Sequence, residues 1–421
     1  MNSFQTIVLG IFGVFIIVGL MVIATVKSSG GVEKVTVSLW GTRPAEEVHA
    51  LTSYFFEKSE TIGMTYTELD ESVIDDELIE ALAVGRGPDM VLLPVELLLR
   101  YRDKITPIPY GSYSERQFRD TFVQEGDLFL LAEGIAALPF SLDPLVMYYN
   151  RDFLDDAGIV MPPKYWDEFL TLANKLSVKD RLGNISQSAV ALGEFRNISS
   201  AKEILTALFL QGGNPIFAPD SSGVFRGFLG EQSTSAILDF YTEFANPLKP
   251  VYSWNRALPN SKNQFLSSRL AVYFGMGSEY QELRRGNPNL NFDIASLPRP
   301  RNAPLGITYG KLTGISLLRT SRAPEVALQV AYMLTGPEAS SLLHERNSLP
   351  PVQRALLADR PTDVYGAVMY DSAARARAFL DPNPRVTAEA WRTMVESVTS
   401  GKMRSGEALD RASVELQGAL R

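Results

Sequence analysis

The sequence predicts an α/β protein of two or three domains, preceded by one N-terminal transmembrane helix. Three observations support this prediction. Strand and helix patterns alternate from residue 35 onward, which is typical of a sheet covered by helices. The body of about 390 residues is too long for a single domain of ordinary size. An apolar run without any charged residue lies close to the N-terminus.

The apolar run covers residues 7–26, IVLGIFGVFIIVGLMVIATV, and as a helix it spans roughly 30 Å, the thickness of the hydrocarbon core of a bilayer. A cleavable signal peptide has a basic start and a shorter apolar region, whereas the preceding MNSFQT lacks Lys and Arg. We therefore expect residues 1–33 to be an uncleaved anchor and a flexible tether. The alternative to an anchor is a buried core helix. The single Lys27, after the apolar run, is weak evidence for the direction in which the helix crosses the membrane.

The body opens with a strand–helix–strand pattern. The segment VTVSLW at 35–40 has the alternation of a strand, and the continuous apolar run MVLLP at 90–94 suits a buried parallel strand. Apolar residues at helical spacing predict two helices between them, one with Val48, Leu51 and Phe55 and one with Ile74, Leu78 and Leu82. Later helices are predicted from Trp166, Phe169, Ala173 and Leu176, and after Pro324 from Val326, Ala327, Val330 and Leu334.

Composition excludes several functions. The 48 acidic residues outnumber the 40 Lys and Arg, so the net charge of −8 is unsuited to binding nucleic acid. There is no Cys and there are two His, His49 and His344, which excludes thiolate chemistry and most histidine-rich metal sites, and we expect no metal and no cofactor. The motifs of serine hydrolases, zinc proteases and ATPases are missing, so we expect no enzyme; a glycosidase, which needs only two carboxylates, stays open.

Longer stretches of sequence carry a family resemblance. GRGPDMVLL at 85–93, the run from GIAALPFSLDPLVMYYNRDF to PPKYWDEFLTLANKL at 134–176, and FLSSRLAVYFG at 265–275 follow one another in an order and at a spacing that resemble the extracellular solute-binding proteins of ABC importers, maltose-type sugar-binding proteins among them. The resemblance covers nearly all of residues 35–421.

The resemblance implies two α/β lobes that close on a ligand like a hinged clamp. Lobe one would comprise residues 34–140 and 318–347, and lobe two residues 141–317 and 348–421, with crossings near 138–143, 312–318 and 349–352. It implies capture of a small polar solute, a mono- or oligosaccharide, and delivery to the transmembrane subunits of an ABC permease, with the body outside the cytoplasm. A membrane-anchored receptor or scaffold without a transport role is the alternative.

Two departures from the family pattern stand out. The sequence lacks the Leu-x-x-Cys lipidation signal, so that a membrane helix would replace the lipid anchor. Leu93 stands where maltose-type relatives place a tryptophan that stacks on sugar, which weakens the expectation of an oligosaccharide.

The resemblance also implies ligand contacts. Asp143, with Ser141 on the same face of the first crossover, matches a ligand-binding carboxylate of maltose-type proteins, and Glu96 matches an acidic contact. Tyr309 and Gly310 are similar to an aromatic-glycine step that lines the cleft. The alternatives are a hinge residue for Asp143 and a helix start for Glu96.

Five further residues are candidates because aromatic faces cover sugar rings and polar groups satisfy hydroxyls. Trp40 and Arg43 follow the first strand, Trp254 lies in a polar loop, and Met276 and Tyr280 follow the strand LAVYF. Each has a structural alternative: Trp40 as a core residue that covers lobe one, and Trp254 as packing beneath its loop.

Overall fold

The computed structural model describes residues 34–213, 215–220, 224–229, 232–303 and 306–420. The predicted anchor and tether, residues 1–33, lie outside these residues. Among the helices that are described, none has the length and apolar character needed to cross a membrane.

The chain alternates strands and helices as predicted. The strands are β1 (Val35–Gly41), β2 (Ile62–Glu68), β3 (Met90–Pro94), β4 (Leu130–Leu131), β5 (Gly134–Ile135), β6 (Leu138–Asn150), β7 (Val178–Lys179), β8 (Ile185–Val190), β9 (Phe217–Pro219), β10 (Phe225–Gly227), β11 (Leu270–Met276), β12 (Phe292–Ala295), β13 (Thr308–Leu317) and β14 (Ala376–Arg377). The helices are α1 (Ala45–Phe56), α2 (Ile74–Ala83), α3 (Leu98–Tyr101), α4 (Glu115–Thr121), α5 (Arg151–Asp156), α6 (Glu168–Leu176), α7 (Ala201–Gln211), α8 (Gln232–Glu243), α9 (Ser261–Leu266), α10 (Tyr280–Gly286), α11 (Pro324–Leu334), α12 (Pro337–Asn347), α13 (Arg354–Leu357), α14 (Val364–Ala374), α15 (Pro384–Thr399) and α16 (Ser405–Gly418).

The main sheet runs in the order β2-β1-β3-β13-β6-β11-β8-β7, with β12 also paired to β6 and β14 to β13. β1 is parallel to β2 and β3, and every residue of β3 is buried, as the apolar run predicts for a strand covered on both faces. The carboxylate of Asp89, just before β3, accepts hydrogen bonds from the backbone and hydroxyl of Ser38 at 2.8 and 2.9 Å and from the Ser321 hydroxyl at 2.7 Å. This acid therefore joins three separate segments of lobe one.

Two long antiparallel strands, β6 and β13, pass from one hydrophobic core to the other. Along β6 the packing changes between Leu142, which belongs to the first core, and Leu145, which belongs to the second. Along β13 it changes between Tyr309 in the second core and Leu312 in the first. The α/β prediction is confirmed. The change of core along β6 falls at the end of the predicted crossing at 138–143, and the change along β13 falls just before the predicted crossing at 312–318.

The third connection also passes between the cores. Leu349 packs in the second core and Val352 in the first, where the side-chain amide of Gln353 donates to the carbonyl of Thr335 at 2.6 Å. Arg354, at the start of α13, donates to the carbonyl of Phe122 at 2.5 Å. Packing with the first core thus starts before the predicted boundary at 318 and reaches past those at 140 and 347, as far as Ala376.

Candidate functional site

The two crossover strands carry a buried carboxyl group between the lobes. Asp143 of β6 lies opposite Lys311 of β13 in the ladder and is 8% exposed. Its Oδ1 accepts a hydrogen bond from the backbone N–H of Ser278 at 3.0 Å. Burial raises the pKa of Asp143, although the bonds from Ser278 and the charge of Arg43 act in the opposite direction. Oδ1 of this buried group is therefore engaged by the protein's own backbone.

The turn that carries Ser278 is held by its neighbours. The carboxylate of Glu279 accepts from the backbone of Met276 at 2.8 Å and from the hydroxyl of Tyr273 at 2.7 Å. The hydroxyl of Tyr148 donates to the carbonyl of Met276 at 2.8 Å. A Cβ atom at position 277 would collide with the end of the flexible Met369 side chain, which would have to move to admit one. Met276 is thus a structural part of the turn.

Two tyrosines form an aromatic surface beside this turn. The rings of Tyr280 and Tyr365 lie 4.4 Å apart at an angle of 31°, and both side chains are partly buried. The hydroxyl of Tyr365 is 3.3 Å from the carbonyl of Gly277. Tyr280 was predicted, whereas Tyr365 was not, because it lies in the first turn of α14 without a motif around it.

Lobe one contributes charged and aromatic groups at the end of β1. Trp40 is half-buried there, and Arg43 binds the carboxylate of Glu47 through Nε at 3.1 Å and Nη2 at 2.5 Å. The amide of Asn347 donates to the same carboxylate at 3.0 Å. Arg43 is therefore fixed in orientation, and its charge acts on Asp143.

A second polar cluster, which we call the Lys202 cluster, comprises four residues: Glu96, Lys202, Tyr309 and Asp381. The hydroxyl of Tyr309 donates to Oε1 of Glu96 at 2.7 Å. Nζ of Lys202 lies 3.6 Å from that oxygen and 2.9 Å from Oδ2 of Asp381. Glu96 and Tyr309 were both predicted as ligand contacts, and the structure brings them together. Lys202 and Asp381 were missed, since they lie 179 residues apart in the chain and in no motif.

Three predicted residues lie within packed structure. Trp254 is fully buried and its indole N–H donates to Oδ1 of Asn197 at 3.1 Å. A Cβ at Gly310 would lie 2.6 Å from the Cβ of Ala376, so the close approach of β14 accounts for this glycine. Ser141 is buried in the ladder between the crossover strands. These placements favour packing roles, and these three residues are left out of the proposal below.

The arrangement offers carboxylates, hydroxyls and aromatic faces between two lobes, which suits a polar uncharged solute with apolar C–H surfaces. Throughout the described part of the chain, no group of three or more His, Cys, Asp or Glu side chains is placed to hold a metal ion.

The chain is similar to known binding proteins. A binding protein of Brucella abortus (strain 2308) is 19% identical over 350 residues, 80% of each chain, and an ABC transporter-binding protein of Deinococcus radiodurans is 23% identical over 287 residues, 65% of this chain and 66% of the relative. These relatives are named as binding proteins.

Solved structures share the fold. A cyclo/maltodextrin-binding protein complexed with maltotetraose superposes with a TM-score of 0.74, at 16% identity, over 94% of this chain and 99% of the other. An ABC transporter solute-binding protein of Thermotoga lettingae, bound to α-D-tagatose, superposes with a TM-score of 0.68, at 20% identity, over 92% of this chain and all of the other.

The model of one family, bacterial extracellular solute-binding proteins, matches residues 50–340. The predicted family and the prediction that the protein is no enzyme are confirmed. The chain belongs to the bacterial extracellular solute-binding proteins.

Proposed function

We propose that the protein captures a small neutral carbohydrate between its lobes and delivers it to an ABC permease. The observation that carries the proposal is the buried carboxyl group of Asp143 on a crossover strand, beside the Tyr280–Tyr365 surface. A buried carboxyl group accepts hydrogen bonds from sugar hydroxyls, and an aromatic face covers the C–H side of a sugar ring. Trp40, Arg43 and Glu96 complete the proposed site, and Tyr309, 2% exposed in the second core, holds Glu96 through its hydroxyl.

The relatives support the choice of solute. The structural neighbours named above were solved with maltotetraose and α-D-tagatose, both polyhydroxylated and uncharged. The name of the Deinococcus relative supports an ABC permease as the partner.

Calorimetric titration tests the proposal. The full chain, in a detergent without a sugar head group, is titrated with neutral mono- and oligosaccharides, sugar acids, amino acids and polyamines. We expect saturable binding of at least one neutral sugar. Binding restricted to amino acids, polyamines or sugar acids would contradict the proposal.

We also propose that residues 7–26 anchor the protein in the membrane, with the body outside the cytoplasm. The support is the length of the charge-free run. The full chain and a variant lacking residues 1–33 are expressed in parallel, and membranes are extracted at alkaline pH. We expect the full chain alone to stay in the membrane fraction; equal release of both would contradict the anchor.

A further inference from the structure

Two opposite charges of the Lys202 cluster are accessible between the two hydrophobic cores. Glu96 follows the carboxyl end of β3, the end at which open α/β sheets bind their ligands, and its neighbours in the chain pack in the first core. Lys202 lies at the start of α7, which packs in the second core. The side chains of Glu96 and Lys202 are 18% and 13% exposed. A solute between the lobes is therefore within reach of both charges.

The other two members of the cluster are buried and hold this pair in place. Asp381 is fully buried, and its Oδ2 lies 2.9 Å from Nζ of Lys202, while its Oδ1 accepts from the Thr387 hydroxyl at 2.6 Å. The hydroxyl of Tyr309 donates to Glu96. The two accessible charges are thus oriented by the protein itself, and a solute does not have to order them.

The ammonium group of Lys202 acts on several carboxyl groups at once. Burial opposes its charge, but the carboxylates of Glu96 and Asp381 raise the pKa of Lys202 above its usual value. Burial likewise opposes ionisation of Glu96, yet Lys202 and the Tyr309 hydroxyl hold the pKa of Glu96 below its usual value. Burial and the charge of Glu96 raise the pKa of Glu203, the next residue along α7, and Lys202 lowers it. One lysine therefore offsets the negative charge of this part of the cleft.

Two other cations of the site already have carboxylate partners. Arg43 binds the carboxylate of Glu47 through two nitrogen atoms. Lys311 of β13 binds Glu71, and the two side chains are 31% and 67% exposed, so that solvent and salt screen their charges. Without its ammonium group, the Lys202 cluster would therefore present its carboxylates to a solute with little to offset them.

We propose that Lys202 is a specificity-determining residue, which makes a cleft rich in carboxyl groups select neutral sugars over amino sugars. This role rests on the proposed function, since it requires a sugar between the lobes. A hydroxyl group of the solute can accept a hydrogen bond from Lys202 and donate one to Glu96. A protonated amino group would be attracted by Glu96 and Asp381, but the fixed ammonium of Lys202 repels it. Such a repulsive element gives selectivity between otherwise similar solutes.

Sugars that differ in charge test this role. D-Glucose, D-galactose and the other neutral sugars of the panel are titrated calorimetrically into the full chain in detergent, together with D-glucosamine, D-galactosamine, D-glucuronate and D-galacturonate. A mildly acidic buffer keeps the amino groups protonated. Each affinity is divided by that of the neutral sugar that binds most tightly. The variants are Lys202→Met and Glu96→Gln, and the exposed Lys175→Met and Glu57→Gln are their matched controls.

The two variants should change selectivity in opposite directions. Lys202→Met should raise the relative affinity for amino sugars on the order of tenfold, because it removes a positive charge close to the solute in a partly buried site. Glu96→Gln should instead raise the relative affinity for the sugar acids, because it removes a negative charge. The two control variants should match the unsubstituted chain in both ratios.

Two results would overturn this role of Lys202 and leave the proposed function intact. One is equal affinity of the unsubstituted chain for amino sugars and neutral sugars. The other is a pair of ratios that stay unchanged in both variants, or that change equally in the controls. If no neutral sugar binds to the unsubstituted chain, the proposed function fails and this role fails with it. If Lys202→Met does not fold, Glu96→Gln with the sugar acids decides alone.

Discussion

Asp143 and Ser278, which are 135 residues apart in sequence, are joined by a hydrogen bond that ties the first crossover strand to the turn after β11. The bond uses one carboxylate oxygen of Asp143 as acceptor. An asparagine keeps such an acceptor and loses the charge, so the contribution of the charge to ligand binding can be separated from its contribution to the fold.

Asp143→Asn should weaken the binding of a neutral sugar by roughly 5- to 30-fold, since a hydrogen bond to a charged group is worth roughly 1 to 2 kcal/mol more than a neutral one. The melting temperature should change little. Titration and thermal unfolding are measured on the same sample, with the exposed Asp410→Asn as control. A lower melting temperature with unchanged affinity would assign Asp143 to the hinge alone.

Tyr365→Ala should lower sugar affinity by about tenfold, because it removes half of the aromatic surface formed with Tyr280. Tyr365→Phe keeps the ring and should bind within about twofold of the unsubstituted chain. Tyr54→Ala, on an exposed part of lobe one, is the control for loss of a tyrosine. Equal losses in the Ala and Phe variants would show that the hydroxyl, and not the ring, is recognised.

Trp254→Phe should lower the free energy of unfolding by roughly 1 to 3 kcal/mol, since it leaves a cavity and removes the bond to Asn197. Sugar affinity should stay unchanged. Chemical denaturation and titration check the two expectations. Loss of sugar affinity without loss of stability would show that Trp254 contacts the ligand.

Glu125 predicts a pH dependence of stability. It is 3% exposed, and its Oε1 has no hydrogen-bond partner. Burial, opposed by the charge of Arg377 and reinforced by that of Asp127, raises the pKa of Glu125 to about 8 from an ordinary 4.5. Between these two values the unfolded chain has lost a proton that the folded chain keeps, so rising pH favours unfolding over this window.

Glu125→Gln has no proton to lose in this window, so rising pH should not destabilise the variant through this position. Its melting temperature relative to the unsubstituted chain should rise as the pH goes from 5 to 8. Thermal unfolding over that range is the measurement, and Glu57→Gln on the surface is the control. A constant difference between variant and unsubstituted chain would show that Glu125 does not titrate in this window.

The fold could be predicted from the sequence where the pattern of residues is local. MVLLP is a strand because five consecutive apolar residues require cover on both faces, and β3 is fully buried as expected. The site was reached only partly. Lys202 and Asp381 are distant in sequence and come together only in the folded chain. Trp254 lies in a polar loop, as a tryptophan that contacts a ligand often does, but its indole is buried in a core. Burial of a single side chain depends on long-range packing that no local pattern encodes.

The position of β13 has a consequence for synthesis. This strand lies between β3 and β6 in the sheet, yet it is made more than 150 residues after them. A ribosome must therefore release more than three hundred residues before the sheet of lobe one has its full set of strands. Until then, the facing edges of β3 and β6 lack their partner, and such edges can pair with other chains. We expect the nascent protein to need protection from aggregation until residue 317 has emerged.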